Sequence, residues 1–556
     1  MLVSDRAVLA RLERAITLGR CARCTYVSLF SCSTCAMINT LYSVRGMVTS
    51  PHHLASQAGL SILKDGGTAI EATVAVAAVL SVVYPHMLSI GGDGFWLIGA
   101  NGHTPIAIEA CGRSGQHVTR DLYQGYETIP TRGRLAVNTV AGAVSGWATA
   151  LQESSRWAPS MPLSRILEDA IYLAEHGAPV SHTMGTMTRD LQEQLMASSS
   201  FCHTFAPDQK WPLPGTLLRQ PRLAKTLKRL AERGLDDFYR GEVAQTIARD
   251  LAAIGSPLVE KDLRSHCARI RRPLHLKTSR GSIYNFPPPT QGLTSLMILG
   301  IFDRLRVQKG DSFEHIHAMI EASKLAYEVR EDICDDEWMP DDLQHCLEPQ
   351  FLDKMASQVD MKAARRIQAP SGPGDTAWMG VIDGAGRAES HTQSVFHPFG
   401  SAMVLPDTGI LWQNRGTSFS LEPAHKNSLA PRKKPFHTLN PAMAVGSDGR
   451  LISYGTMGSH GQPQFSSAVL SRYLWYDQPL QAAVSAPRWL VDADQVYVES
   501  RLRPTLMAEL GKAGHHITKL GEYDSLFGHS HAIARRPDGV LEGAVDPRSD
   551  GVVSAF

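Results

Sequence analysis

Residues 372–383 read Gly-Pro-Gly-Asp-Thr-Ala-Trp-Met-Gly-Val-Ile-Asp, in which a Pro/Gly turn leads through a threonine into an apolar strand. A threonine hydroxyl is a poor nucleophile at neutral pH because it has no base of its own. If the bond between Asp375 and Thr376 is cut, Thr376 gains an α-amine that titrates near pH ~8 and can take the hydroxyl proton. The flexible lead-in allows the kinked peptide that such an attack needs. We interpret the junction as a self-cleavage site; an ordinary turn entering a strand is the structural alternative.

The charge and hydropathy of the chain argue against several broad functions. Over 556 residues, 55 Lys and Arg balance 54 Asp and Glu, so no global field favours nucleic acid or a membrane surface. The longest apolar run, Ala72–Tyr84, is shorter than the ~20 residues of a spanning helix and predicts a buried helix. The length suits about three or four domains or one large layered α/β unit. Without a convincing secretory signal, we expect a cytoplasmic protein.

The N-terminal segment, residues 1–46, differs from the rest of the chain. It contains two C-x-x-C pairs, at Cys21 and Cys24 and at Cys32 and Cys35. The seven residues between the pairs are fewer than a zinc ribbon usually has. The segment could be a targeting extension, a zinc-binding module or the result of a start codon placed too far upstream. We favour the last, with Met37 or Met47 as the true start, and infer neither a metal nor a cofactor.

Apolar periodicity and turn residues predict most of the secondary structure. Helices are expected at 52–63, 68–83, 163–176, 223–233, 292–302 and 314–329. Strands are expected at 95–98 and 105–109, and hairpins at 376–396, 443–454 and 532–545. The order predicts sheets packed between helical layers.

Two further stretches carry groups that suit a catalytic site. The turn Gly455–Gly461 directly follows a predicted strand, and backbone N–H groups there can converge on an oxyanion or a phosphate. The stretch Trp412–Gly416 contains Arg415, whose planar guanidinium can bind a carboxylate through two hydrogen bonds. His437 and Thr438 are polar groups that could line the same site. Taken singly, each has a structural alternative: a plain glycine loop, a surface arginine or a structural histidine.

Several motifs occur in an order that resembles the γ-glutamyltranspeptidase family of N-terminal-nucleophile hydrolases. They are Gly66–Ala72, Ile90–Phe95, Pro287–Pro289, the strand at Thr376, the turn Gly455–Gly461 and the closing Asp546–Gly551. The resemblance covers about residues 49–556 and implies an α/β fold, a four-layer αββα sandwich with a largely helical part in its large subunit. It also implies processing into a large chain, residues 47–375, and a small chain, residues 376–556.

The resemblance implies roles for four residues around the cleavage site. Thr376 would be the nucleophile, and Ser394 would support it from the neighbouring strand, where the family usually has threonine. The backbone N–H groups of Gly458 and Ser459 would hold the oxyanion, although the family's second glycine is a serine here.

The departures from the family pattern concern the substrate pocket. Cys111 stands in the register of the family's carboxylate-binding arginine, and Arg113 lies two residues on. An asparagine becomes Phe396, a glutamine and an aspartate after Asn414 become Arg415 and Ser418, and paired serines become His437 and Thr438. The lost aspartate pairs with a substrate α-ammonium, so its absence argues against γ-glutamyl substrates. The pocket is expected to prefer a small anionic amide without an amino group.

These changes resemble the oxamate amidohydrolase branch of the family, which hydrolyses oxamate to oxalate and ammonium in purine-derived nitrogen salvage. We therefore predict a self-processing amidohydrolase in which Arg113 and Arg415 hold the substrate carboxylate. The expected partners are the small substrate and the two chains of one precursor, with a homodimer of processed heterodimers as one arrangement. The alternatives are a γ-glutamyl hydrolase or transferase with a remodelled pocket, and a binding protein that never matures.

Overall fold

The computed structural model describes residues 39–100, 103–339, 343–366 and 374–556. The two N-terminal C-x-x-C pairs and the first two residues of the Gly-Pro-Gly turn lie outside the described residues. The end of the N-terminal segment belongs to the fold, because Leu41–Ser43 pairs with a strand near the C-terminus and Thr40 Oγ1 accepts a hydrogen bond from the Gln481 N–H at 3.0 Å. The sequence pattern did not predict this short edge strand.

The strands of the described residues belong to two large sheets and two small ones. In chain order they are β1 (Leu41–Ser43), β2 (Met47–Ser50), β3 (Asp93–Ala100), β4 (Ile106–Ala110), β5 (Ala178–Pro179), β6 (Leu217–Leu218), β7 (Arg269–Arg271), β8 (Leu274–Thr278), β9 (Gly281–Asn285), β10 (Asp375–Ile382), β11 (Arg387–Phe396), β12 (Ala442–Gly446), β13 (Leu451–Thr456), β14 (Trp489–Asp492), β15 (Gln495–Glu499), β16 (Ile517–Leu520), β17 (Ser530–Arg535), β18 (Leu541–Ala544) and β19 (Val552–Ala555). Sheet A has the order β1-β18-β17-β13-β12-β9-β8, and sheet B the order β19-β2-β10-β11-β3-β4-β7. All neighbouring strands within these two sheets are antiparallel.

The helices of the described residues lie mainly between β2 and β10. In chain order they are α1 (His53–Lys64), α2 (Ala69–Val83), α3 (Ala143–Ser154), α4 (Leu163–Ile166), α5 (Glu168–His176), α6 (His182–Asp190), α7 (Gln192–Met196), α8 (Ser199–Phe205), α9 (Pro221–Arg233), α10 (Asp237–Arg240), α11 (Glu242–Ala253), α12 (Glu260–Arg264), α13 (Gly292–Leu305), α14 (Phe313–Arg330), α15 (Pro349–Ala356), α16 (Gln462–Leu470), α17 (Leu480–Ser485) and α18 (Pro504–Lys512). None of them is long and apolar enough to span a membrane.

The two large sheets pack face to face, and helices cover both outer faces. Between the sheets lies an apolar core that includes Leu97 from sheet B and Met443 and Ile533 from sheet A. A second core joins α1, α2 and α3 to sheet B, and a third joins α13, α14 and α16 to sheet A. This arrangement is the predicted four-layer αββα sandwich.

Helix α2 illustrates why the sequence pattern predicted these elements well. Thr68 and Glu71 form a capping box, in which each side chain accepts a hydrogen bond from the other residue's N–H, at 3.2 and 2.8 Å. Every residue of α2 is buried, as its uninterrupted apolar run requires. The three predicted hairpins are also confirmed, as β10/β11, β12/β13 and β17/β18. The predicted helix at 163–176 is instead two helices, α4 and α5, which meet at Leu167.

Candidate active site

Thr376 lies at a break in the pairing of the two central strands of sheet B. Asp375 pairs with Phe396 and Ala377 with Gln393, so the register shifts across Thr376. Such a bulge turns a side chain out of the regular alternation and is frequent beside active sites. Thr376 is buried, with 1% of its surface exposed.

Ser394, on β11, contacts the bond that is expected to be cut. Its hydroxyl donates a hydrogen bond to the carbonyl oxygen of Asp375 and accepts one from the Phe396 N–H at 2.7 Å. A hydroxyl donor on that carbonyl withdraws electron density from its carbon and favours attack there. The structure therefore brings Ser394 to the carbonyl of the predicted cleavage site.

Gln462, the first residue of α16, contacts the hydroxyl of Thr376 directly. Its Nε2 donates a hydrogen bond to Thr376 Oγ1 at 3.2 Å, and its side chain is fully buried. Gln462 is not among the site residues predicted from the sequence. Its position immediately after the glycine-rich turn is the sequence feature that could have identified it as a site residue.

The glycine-rich turn lies between β13 and α16, next to the residue that precedes Asp375. Gly458 and Ser459 both have positive φ angles, 125° and 47°, a conformation that is uncommon for a serine. A Cβ atom on Gly374 would lie 2.6 Å from Ser459 Oγ, so the turn is packed against the chain entering the cleavage site. This position suits the predicted oxyanion donors.

Gln291 joins this turn to the segment that carries Thr438. Its Nε2 donates to the carbonyl oxygens of Thr438, at 2.6 Å, and Ser459, at 2.8 Å. Its Oε1 accepts from Arg330 Nε at 3.3 Å. The predicted oxyanion and substrate-binding segments are thus held together by one buried side chain.

Arg415 is fully buried near the same segment and is only partly paired. Its Nη1 donates to Thr438 Oγ1 at 3.4 Å, whereas its Nε and Nη2 have no hydrogen-bond partner among the described residues. The guanidinium carbon lies 3.9 Å from the centre of the Phe396 ring. Burial lowers the pKa of Arg415 to about 9, although the nearby Asp93 and Cys111 favour its charged form. At neutral pH, Arg415 therefore presents two free donors on one edge of a buried cation.

Asp93 and His437 form the other half of this polar cluster. Asp93 Oδ1 accepts from the Gly112 and Gly142 N–H groups, both at 3.0 Å, and its Oδ2 lies 3.5 Å from His437 Nε2. Burial raises the pKa of Asp93 to about 7 against the opposing effect of Arg415. Burial, together with the neighbouring cation Arg415, lowers the pKa of His437 far below its ordinary value, so its ring is neutral.

The other predicted substrate-binding residues have structural partners. Asn414 bridges two loops, since its Nδ2 donates to the Thr131 carbonyl at 2.8 Å and its Oδ1 accepts from the His397 N–H at 3.1 Å. Ser418 Oγ donates to the Phe436 carbonyl at 3.0 Å.

Arg113, unlike Arg415, is paired with acidic side chains of the protein. Its guanidinium forms ion pairs with Asp335, at 3.1 Å, and with Glu337, at 2.5 Å, and donates to the Arg432 carbonyl at 3.0 Å. A substrate carboxylate at Arg113 would have to compete with two protein carboxylates.

Phe396 connects the cleavage junction to Arg415. It pairs with Asp375 across the strands, has a φ angle of 80°, and lies 3.2 Å from the position that a Cβ on Gly374 would take. A left-handed conformation in an aromatic residue indicates local strain that its surroundings maintain.

One group among the described residues has side chains close enough to hold a metal ion, namely His317, Glu321 and His515. The ammonium of Lys324 donates to Glu321 Oε1 at 2.7 Å and lies 3.5 Å from His515 Nδ1. His317 and His515 are themselves joined by a hydrogen bond of 2.8 Å. The group is therefore bonded internally and carries its own cation.

Comparisons with known proteins agree with this geometry. The γ-glutamyltranspeptidase family model matches residues 55–556. The oxamate amidohydrolase proenzyme of Klebsiella pneumoniae is 46% identical over 522 residues, which are 92% of this chain and 99% of that protein. The glutathione hydrolase-like YwrD proenzyme of Bacillus subtilis is 38% identical over 93% of this chain and 99% of its own length. The crystal structure of cephalosporin acylase from Bacillus halodurans has a TM-score of 0.87 at 31% identity and covers 97% of this chain and 99% of its own.

The fold and these similarities define an N-terminal-nucleophile hydrolase. The chain belongs to the γ-glutamyltranspeptidase family. Within that family it is a self-processing amidohydrolase, whose relatives are proenzymes.

Proposed function

We propose that this protein hydrolyses a small anionic amide, with oxamate as its substrate, to a carboxylate product and ammonium. The observation that carries the proposal is the buried edge of Arg415, where Nε and Nη2 have no hydrogen-bond partner among the residues that the structure describes. Those two donors have the spacing that binds a carboxylate through two parallel hydrogen bonds. A buried cation with free donors is costly unless an anion occupies the site during the working cycle.

The proposed maturation begins with attack of Thr376 Oγ on the Asp375 carbonyl carbon. The Oγ–C bond forms and the peptide C–N bond breaks, while the hydroxyl proton of Thr376 passes to the departing nitrogen, which leaves an ester and a free α-amine on Thr376. Water then cleaves the ester. The products are a large chain that ends at Asp375 and a small chain that begins at Thr376. Ser394, which donates to the Asp375 carbonyl, supports the first step.

The proposed catalytic cycle uses the same hydroxyl on an external amide. The α-amine takes the Thr376 hydroxyl proton while Oγ attacks the amide carbon, and the backbone N–H groups of Gly458 and Ser459 hold the oxyanion. The C–N bond breaks, and ammonia leaves with the proton from the α-amine. Water adds to the acyl ester with the α-amine as base, the ester C–O bond breaks, and Thr376 regains its hydroxyl proton.

The charges around Arg415 support an anion that has no ammonium group. Asp93, the carboxylate that most favours the charged form of Arg415, has Oδ1 held by two backbone N–H groups and Oδ2 facing His437. Ser418 offers a hydroxyl that already donates to a carbonyl. An amino group in this pocket would lie near the Arg415 guanidinium and would compete with that cation for Asp93. We retain Arg113 as a secondary proposal, since it must leave its ion pairs to contact a substrate.

Arg415→Gln tests the proposal. We expect kcat/KM for oxamate to fall, with a loss of about 2–5 kcal/mol in transition-state stabilisation, because a desolvated carboxylate loses its cation. Self-cleavage should remain intact, since it involves no substrate carboxylate. Arg472→Gln is a matched control: Arg472 is also buried, but it pairs with Asp311 at 2.8 Å and stacks near Trp489.

The assay compares oxamate with a γ-glutamyl anilide on wild type and both variants. Arg472→Gln should lower the stability, because it breaks the ion pair with Asp311, and should leave the ratio of the two kcat/KM values unchanged. Oxamate turnover that survives Arg415→Gln, or a wild-type preference for the anilide, contradicts the proposed substrate.

A γ-glutamyl hydrolase or transferase is the second candidate, because one relative with 38% identity carries a glutathione hydrolase-like name. Preference for the anilide in the same assay selects it. The proposal also includes a cytoplasmic location, a role in purine nitrogen catabolism and a homodimer of processed heterodimers. Cell fractionation, growth on purine nitrogen after gene deletion, and light scattering of the mature protein test these three points.

A further inference from the structure

The side-chain amide of Gln462 lies in the candidate active site, where its nitrogen is hydrogen-bonded and its oxygen, within the described part of the chain, is not. Its Nε2 donates to Thr376 Oγ1 at 3.2 Å, and its Oε1 is buried without a partner among the described residues. Burying an amide oxygen without a donor is destabilising, because the oxygen loses its hydrogen bonds to water. The uncut chain therefore holds an unsatisfied acceptor on the side chain that touches the nucleophile.

Cleavage supplies the missing donor on the neighbouring residue. In the uncut chain the nitrogen of Thr376 is part of a peptide bond, whereas cleavage converts it into an α-amine with two or three N–H bonds. This amine is two bonds from Cβ and hence close to Oγ1, which Gln462 already contacts. A planar amide presents a donor and an acceptor side by side, which matches a hydroxyl and an amine on one residue.

We infer that Gln462 is a catalytic residue that binds both reacting groups of mature Thr376, with Nε2 on Oγ1 and Oε1 on the α-amine. The donor arm stabilises negative charge on Oγ1 during attack and when the ester bond breaks. The acceptor arm fixes the amine so that its lone pair faces the hydroxyl proton. The inference rests on the self-processing mechanism proposed above and does not depend on the identity of the substrate.

The position of Gln462 on the backbone supports this role. It is the first residue of α16, a nine-residue helix whose N-terminal end therefore faces Thr376. The partial positive charge of that end favours negative charge on Oγ1. Pro463 follows Gln462 at a helix position where its missing N–H is not needed, which fixes the first turn.

Gln464 provides a matched control two residues further along α16. It is also a buried glutamine, but both of its ends are bonded: Nε2 donates to Tyr327 Oη at 2.9 Å and to the Val491 carbonyl at 3.0 Å, and Oε1 accepts from the Val491 N–H at 2.8 Å. Gln464→Met should lower the melting temperature without changing the chemistry at Thr376.

Two substitutions at Gln462 separate its arms. Gln462→Met removes both and keeps the volume, and Gln462→Glu removes the donor but keeps an acceptor with negative charge. We expect both to slow self-cleavage about 10–100-fold, because each loses the hydrogen bond to Oγ1. In mature Gln462→Glu, the acid limb of kcat/KM should move to higher pH by about one unit or more, since a carboxylate stabilises the protonated amine.

The pH profiles are recorded with whichever amide the mature enzyme turns over, oxamate or a γ-glutamyl anilide, so failure of the oxamate proposal leaves this test intact. Wild-type cleavage by Gln462→Met, or an unshifted acid limb in Gln462→Glu, overturns the inference. If Gln462→Glu stays uncut, a crystal structure of the mature wild type decides: Oε1 within about 3.2 Å of the Thr376 nitrogen supports the inference, and a separation beyond hydrogen-bond range overturns it.

Discussion

Arg415 and Arg548 are both buried guanidinium groups in the C-terminal part of the chain, but their surroundings differ. Arg548 forms ion pairs with Glu499, at 2.6 Å, and Asp546, at 2.9 Å, and all three of its nitrogens donate. Two nitrogens of Arg415 have no hydrogen-bond partner in the part of the chain that the structure describes. Burial opposes the charge on both, yet Asp546 and Glu499 raise the pKa of Arg548, whereas the pKa of Arg415 falls to about 9.

This contrast separates a structural ion network from a binding site. Removing one partner from a complete buried network leaves an unpaired charge and destabilises the fold. A buried guanidinium with unpaired donors costs stability, and those donors are available to a ligand. Burial and charge alone did not distinguish the two arginines; the number of unsatisfied donors did.

The largest expected effect is that of removing the proposed nucleophile, Thr376, which lies in the candidate active site and not in the ion network of Arg548. Thr376→Ala should give a single uncut chain of 60.7 kDa, because no hydroxyl remains to attack the Asp375 carbonyl. Thr376→Ser should still cut, since it keeps the hydroxyl. Mass spectrometry of protein from a protease-deficient host measures both. Two chains from Thr376→Ala would show that another group or another protein performs the cleavage.

The next effect compares the two arginines in stability. In an uncut Thr376→Ala background, Arg548→Met should lower the free energy of unfolding by about 3–5 kcal/mol, because it leaves Asp546 and Glu499 buried without their partner. Arg415→Met should leave it unchanged or raise it by up to about 1–4 kcal/mol, since it removes a buried charge whose donors are not all paired. Urea unfolding of the two variants provides the measurement. Equal losses would mean that Arg415 is as structural as Arg548.

A smaller effect is the pH dependence of stability that Asp93 and Asp546 contribute. This dependence has opposite signs for the two residues. The folded-state pKa of Asp93 is about 7, above the ordinary ~4, so its contribution to stability is complete below about pH 4 and is lost as the pH rises through 7. Arg488 and Arg548 hold the pKa of Asp546 low despite its burial, so its contribution is present above about pH 4 and is lost in acid. Asp93→Asn should therefore lose less stability than wild type between pH 5 and 8, as measured by melting temperature. Parallel pH curves would refute the assignment to Asp93.

The sequence predicted the layered fold because its apolar runs and glycine turns are local signals. Helix α2 and the β10/β11 hairpin can each be recognised from the pattern of about twenty consecutive residues. Strand β1 escaped prediction because three half-exposed edge residues carry no alternation. The contact between Gln462 and Thr376 joins positions 86 residues apart, and it depends on where α16 meets β10.

The site shows the same limit of prediction from sequence. Arg415 and the glycine-rich turn could be proposed from their residue types and from a family resemblance. Which arginine keeps free donors could not, because Asp335 and Glu337, which pair with Arg113, lie more than two hundred residues from it in the chain. Pairing across such separations is decided by the packed fold.

The left-handed backbone conformation of Phe396 places strain in the uncut chain next to the predicted cleavage site. Its strained backbone, worth about 1–3 kcal/mol, persists only while its neighbours hold it, and one of those neighbours is its strand partner Asp375. The proposed cleavage after Asp375 would separate that partner from Thr376 and create the α-amine that acts as the base. We therefore expect maturation also to relax the backbone beside Arg415, the proposed carboxylate site, so that both changes depend on one peptide bond.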